Sequence, residues 1–196
     1  MTGLMILLLQ IWGGLAYLLN KVCFSRAERS LSAETNRTWR IRSWVAYLAG
    51  LPAWVAVFVM EHNWIVAAVE SSGAPAMIIG LMISWRGSGS EPKRLDHFAR
   101  FIIALGLAAS IYEFGGIKTP NQCLELGVSA GFLFGTYLLA KDKVQGYLWI
   151  MLGNVSCFLL MLSQGYYILM IQQSVSLIFT VDACANRSRR RVENAS

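Results

Sequence analysis

Sixteen of the chain's seventeen Lys and Arg residues fall on one side of a single membrane threading, and that sorting constrains the fold more than any other feature. Short translocated loops shed Lys and Arg, whereas cytoplasmic loops retain them. The apolar runs predict seven spans, at residues 2–20, 42–60, 64–84, 98–114, 121–140, 146–163 and 166–183. Alternate sides then hold two sets of loops. One set contains Glu61-His62-Asn63, the loop before Pro120 and Ser163-Gln164-Gly165, with Lys118 as its one cation. The other takes Lys21 to Arg42, Arg86 to Arg100, Lys141, Lys143 and the Arg187 to Arg191 tail. Merging two spans scrambles the sorting. The expected topology is therefore an outside N-terminus and a cytoplasmic C-terminus in the plasma (inner) membrane.

With 56% hydrophobic and 14% charged residues, the chain fits an integral membrane protein with little left for a soluble domain. Each span suits a hydrocarbon core of about 30 Å. The net charge of +6 is read as topology signal and as attraction to anionic lipid, not as a nucleic-acid footprint. The four cysteines form no disulfide framework, and no Cys/His spacing reads as a metal site. The first twenty residues lack a basic start, so they read as a span rather than a leader. No cofactor is expected.

Spans two and three can be laid on spans six and seven at a constant offset of 103 residues. Gly50 then meets Gly153, Trp64 meets Tyr167, and Glu70-Ser71 meets Gln173-Ser174. Span one matches span five through Tyr17-Leu-Leu against Tyr137-Leu-Leu and Lys21 against Lys141, an offset of 120. The expected fold is all-α, with two parallel three-helix repeats joined by an inverting linker helix. Residues 1–84 form the first repeat, with a long cytoplasmic loop at 21–43. Residues 85–120 hold the linker loop and helix, 121–183 the second repeat, and 184–196 a basic cytoplasmic tail.

Two stretches carry a family likeness. One is Leu148-Trp-Ile-Met-Leu-Gly-Asn-Val-Ser156, followed by Gln164-Gly165 and Met170-Ile-Gln-Gln173; the other is Gly80-Leu-Met-Ile-Ser-Trp-Arg86. Together with the helix plan, they resemble the SWEET-like seven-helix transporters, and among these the PnuC-type nicotinamide riboside transporters. The second triplet departs by ending Thr180-Val-Asp-Ala183, without a Gly-aromatic-Trp motif, and Glu70 is acidic where an amide or hydroxyl is expected. The resemblance implies facilitated uptake of a vitamin-like riboside that is trapped inside by phosphorylation elsewhere.

Polar groups inside spans are costly and face protein or a water-filled path. Glu70 lies within span three, Gln172 and Gln173 at similar depth in span seven, and Asn154 near the middle of span six. These four, with the aromatic faces of Trp54, Trp64 and Tyr167, are the candidate solute-binding residues. Adjacent Gln172 and Gln173 are about 100° apart on a helix, so one is expected to face the path and the other to brace a neighbour. Asn154 reads equally well as interhelical glue. Trp64 and Tyr167 read equally well as interface anchors, and for Trp44 and Trp85 the interface-belt reading is preferred. Asp182 is expected to pair with an arginine of the basic tail. Gly127, Gly131 and Gly135 form a small-residue ladder for close helix packing.

No nucleophile–base pair, metal spacing or nucleotide loop is present, so no enzyme activity is expected. The expected function is a membrane transporter, a facilitator for a small polar solute such as nicotinamide riboside or a related nucleoside. Its partners are that solute and the bilayer, with homo-oligomers compatible. Two alternatives stay open: the substrate-binding subunit of an ATPase-driven vitamin importer, and a non-transporting scaffold or signalling protein. Both termini in the cytoplasm would favour the first. Indifference to Glu70→Ala and Gln173→Ala would favour the second.

Overall fold

In lipid, a long apolar segment satisfies its own N–H and C=O groups only by coiling into a helix. The computed structural model describes residues 2–113, 119–165 and 167–193, which form helices and short turns only. The helices are α1 (Thr2–Arg29), α2 (Ala33–Met60), α3 (Trp64–Ser72), α4 (Ala74–Arg86), α5 (Lys93–Glu113), α6 (Pro120–Ala140), α7 (Gln145–Gln164) and α8 (Tyr167–Glu193). Six segments are long and apolar enough to cross a membrane: Gly3–Arg29, Ala33–Met60, Val66–Arg86, Lys93–Tyr112, Pro120–Ala140 and Gln145–Gln164. The protein is an all-α membrane protein. The expected seventh span starts at Tyr166, which lies outside the described residues, as does Lys118; the rest of that span forms the first part of α8.

Local chemistry sets the helix ends. Asn63 caps α3 by accepting from the Val66 N–H at 3.3 Å. Thr119 and Gln122 form a reciprocal capping box at α6, with Pro120 just inside, where its missing N–H costs nothing. Gly165 closes α7 at φ 76°, a left-handed turn that favours glycine. Pro75 separates α3 from α4, because it lacks an N–H and crowds the carbonyl one turn back. Gly73 spans the break through a tight bond from its N–H to the Glu70 carbonyl, at 3.2 Å.

Residues 21–43 are not the expected long loop. Helix α1 continues to Arg29 and α2 begins at Ala33, so only 30–32 connect them. The apolar face does not stop at the first cation: Ala16, Asn20, Cys23, Phe24 and Ala27 are all buried. Trp44 is not an interface anchor either. It is fully buried, in the slot left by Gly80, where a Cβ would collide with the indole ring. Trp85, by contrast, is 63% exposed.

The helices close into a ring. Helix α1 packs on α2, α2 on the α3–α4 pair, α4 on α6, α6 on α7, α7 on α8, and α8 back on α1. Helix α5 lies outside it, against α3, α4 and α6. Its direction is read from a ladder of contacts: Ser110 to Ser129 at 3.2 Å, Arg100 to the Tyr137 hydroxyl at 2.7 Å, and Asp96 to Lys141 at 2.6 Å. Numbers rise in α5 as they fall in α6, so the two are antiparallel. Between α6 and α7 the backbones approach closely, since a Cβ on Gly131 would lie 2.5 Å from the Gly153 Cα. Leu4, Leu8, Ile11, Leu15 and Leu19 make an exposed apolar stripe at helical spacing on α1. Such a stripe is stable against lipid and a liability in water.

One end of the ring is sealed by charge. Glu28 is fully buried. It accepts from Arg40 at 3.2 Å, from the Tyr147 hydroxyl at 2.9 Å and from Arg187 at 3.5 Å. Asp142 joins the same two arginines at 2.6 and 2.7 Å. Four elements are thereby tied together: α1, α2, the α6–α7 connection with the start of α7, and α8. Asp182 pairs with Arg29 of α1, at 2.7 and 2.9 Å, not with the basic tail as expected. Beside α5, Lys141 binds Glu91 at 2.7 Å, and that hydrogen bond holds the Glu91 carboxyl below its ordinary range.

Candidate functional site

The ring encloses a cavity of about 350 Å³, within the size range of small-molecule sites. Side chains from all six ring positions line it, and α5 contributes none. Its walls are apolar and aromatic, with a few polar groups converging from opposite helices.

Five of the seven candidate residues meet there: Glu70, Asn154, Gln172, Gln173 and Trp54. Trp64 and Tyr167 do not. They are 62% and 65% exposed, beside the turns that begin α3 and α8. Glu70 sits one turn before the Pro75 break and accepts a short hydrogen bond from the Tyr17 hydroxyl. Asn154 is almost fully buried and bridges α7 to α8. Its Oδ1 accepts from Ser176 at 3.0 Å, and its Nδ2 reaches the Thr180 hydroxyl at 3.5 Å. It is therefore interhelical glue that also borders the cavity.

Gln172 and Gln173 both line the cavity, where only one was expected. Gln172 also braces: a Cβ on Gly14 would lie 3.3 Å from its Nε2, so the glycine makes room for the amide. Neither amide hydrogen-bonds within the described residues, which leaves four hydrogen-bonding atoms for a solute. Trp54 fits over Gly13 and stacks on Phe58, with centroids 5.9 Å apart and planes 24° apart. Its Nε1 is buried with no acceptor among the described residues.

Sequence reasoning missed Tyr17, Lys21, Tyr47 and Thr136. Tyr17 and Tyr47 pack edge to face at 4.7 Å, and the Tyr47 hydroxyl lies 3.2 Å from Thr136. Lys21, one turn beyond Tyr17, lines the same cavity at 9% exposure. The signal for Tyr17 and Lys21 was their i, i+4 spacing, which puts both on one helix face.

The lining is regular in sequence. Trp54, Phe58, Val66, Val69, Glu70 and Gly73 line one half; Cys157, Met161, Leu169, Gln172, Gln173 and Ser176 line the other. Each pair is separated by 103 residues. The α1–α6 register differs from the expected one. Tyr17, Leu18 and Lys21 line the cavity opposite Phe132, Leu133 and Thr136, an offset of 115 rather than 120. Tyr137 and Lys141 turn instead toward α5 and the loop before it, to Arg100, Asp96 and Glu91. Comparison with protein-family models, with curated proteins and with solved structures finds no match.

Proposed function

We propose that the chain is a seven-span membrane transporter, a facilitator for a small polar, vitamin-like solute, with nicotinamide riboside or a related nucleoside as that solute. The observation that carries the reading is the cavity. It sits between the ring helices, presents two unpartnered glutamine amides and a carboxylate, and has an indole with a free N–H in its wall. Amides suit ribose hydroxyls and a carboxamide, and a carboxylate with aromatic faces suits a cationic pyridinium ring.

The recurrence of lining positions at one offset supports two repeats about an axis along the membrane normal, with α5 as the inverter. The ring order supports it as well, because each contact in one half has a counterpart in the other: α1–α2 with α6–α7, α2–α4 with α7–α8, and α4–α6 with α1–α8. In this reading the Glu28 network closes the cytoplasmic end, and α8 is the seventh span.

Uptake tests the proposal. Cells lacking their own nicotinamide riboside route should accumulate the labelled compound when this chain is expressed, and should do so only down its gradient. Equal uptake with and without the chain, at confirmed surface expression, rejects the transporter reading for this solute.

A further inference from the structure

Taking the cavity as a riboside site, as proposed above, we infer that among related nucleosides it prefers a zwitterionic one, whose anionic group Lys21 receives. Lys21 is more than nine-tenths buried and lines the cavity. Among the described residues it has no hydrogen bond and no ion pair. Its ammonium lies over the Tyr47 ring, 5.3 Å from the centroid.

That contact is a small return for burying a cation. Taking an ion out of water costs more, even after relaxation, than a single cation–π contact returns. The other buried cation, Arg40, is paired twice, to Glu28 and Asp142. Lys141 is also paired twice, with carboxylates that α5 and the loop before it supply, Asp96 and Glu91. Helix α5 packs on α3, α4 and α6, and among the described residues no carboxylate pairs with Lys21.

Glu70 does not fill the gap. It lines the same cavity but forms no ion pair with Lys21, and its hydrogen bond comes from Tyr17. The cavity thus offers one cation and one carboxylate, each available from inside. Thr136, 3.2 Å from the hydroxyl of the same Tyr47, adds a hydroxyl to the lining. A solute complementary to both ends carries an acceptor anion toward Lys21 and a cation or donor toward Glu70.

Two probes isolate the anionic group. Nicotinic acid riboside and nicotinamide riboside share the pyridinium and the ribose and differ by a carboxylate against a carboxamide. Calorimetric titration of the full chain in nanodiscs should show the acid binding about tenfold more tightly or better, the effect of one charge-assisted pair. Lys21→Met should abolish that preference, leaving amide affinity within about threefold, and Lys21→Arg should retain it. Should Lys21→Met fail to give a monodisperse protein, Lys21→Gln serves for the same comparison.

Equal or tighter binding of the amide by the wild type overturns the inference, as does a preference for the acid that survives both neutral substitutions. The riboside reading of the cavity stands in either case. Failure of both ribosides to bind the folded wild type overturns that reading and this inference with it.

Discussion

Glu28→Ala should destabilise the protein by about 3–5 kcal/mol, the cost of breaking a buried ion pair from one side. Glu28 is fully buried and answers Arg40, Arg187 and the Tyr147 hydroxyl. Without it, two guanidinium groups at the sealed end of the ring share only Asp142, whose side chain is 40% exposed. The melting temperature in nanodiscs should fall by about 2–4 °C for each kcal/mol in a chain of this size. Glu28→Gln should fall between, because an amide oxygen still accepts from Tyr147 and Arg40 while the charge is gone. Melting of Glu28→Ala within a degree of the wild type would show that the network does not hold the end of the ring together.

Glu70→Ala should weaken nicotinamide riboside binding by about thirtyfold or more, since removing one side of a buried charged contact costs about 2–5 kcal/mol. The effect is expected on binding rather than folding, because Glu70 has one interhelical hydrogen bond, from Tyr17, and borders empty space. Gln173→Ala, at the matching position of the other half, should lose about one neutral hydrogen bond, roughly 0.5–1.5 kcal/mol. Glu70→Gln separates charge from shape. Retained affinity assigns Glu70 a hydrogen-bonding role, and lost affinity assigns it a charge. Unchanged affinity in both alanine variants, with normal expression, would remove the two residues from the site.

The parts legible in the sequence were those that depend on composition and local register. Apolar runs marked the six segments long and apolar enough to cross a membrane, and the offset of 103 aligned Glu70 with Gln173, which line one cavity. Positions that depend on which way a helix faces were harder. A lipid-embedded helix is apolar toward its neighbours and toward lipid alike, so its pattern gives little direction. Trp64 and Tyr167 sit at matching depths yet point away from the cavity, exposed beside their turns. The same weakness displaced α1 against α6 by five residues, because a Tyr-Leu-Leu run matches readily in any apolar helix.

Lys21 was hidden by a different assumption, that the first cation after an apolar run ends the span. Here the helix runs on for eight more residues, to Arg29, and carries the lysine inward. The buried face continuing through Cys23, Phe24 and Ala27 was the available clue. Glu28 needed more than that. Its partners Arg40, Asp142, Tyr147 and Arg187 come from other elements, and only the closed ring brings them together. Trp44 likewise needed Gly80, a residue 36 positions away, to open its slot.

The account rests on the solute occupying the cavity inside the ring, and Cys157 gives direct access to it. Cys157 lines the cavity wall on α7, at the position matching Trp54. With Cys23, Cys123 and Cys184 replaced by alanine, it is the one thiol left in the chain. The rate at which a small methanethiosulfonate reagent labels it can then be followed with and without nicotinamide riboside. At solute ten times its Kd only about one molecule in eleven is empty, so labelling should slow about tenfold. The concentration giving half protection should match the one that half-saturates uptake. Labelling that proceeds at the same rate when uptake is saturated would contradict the account, because the solute would then cross by a path that leaves this cavity open.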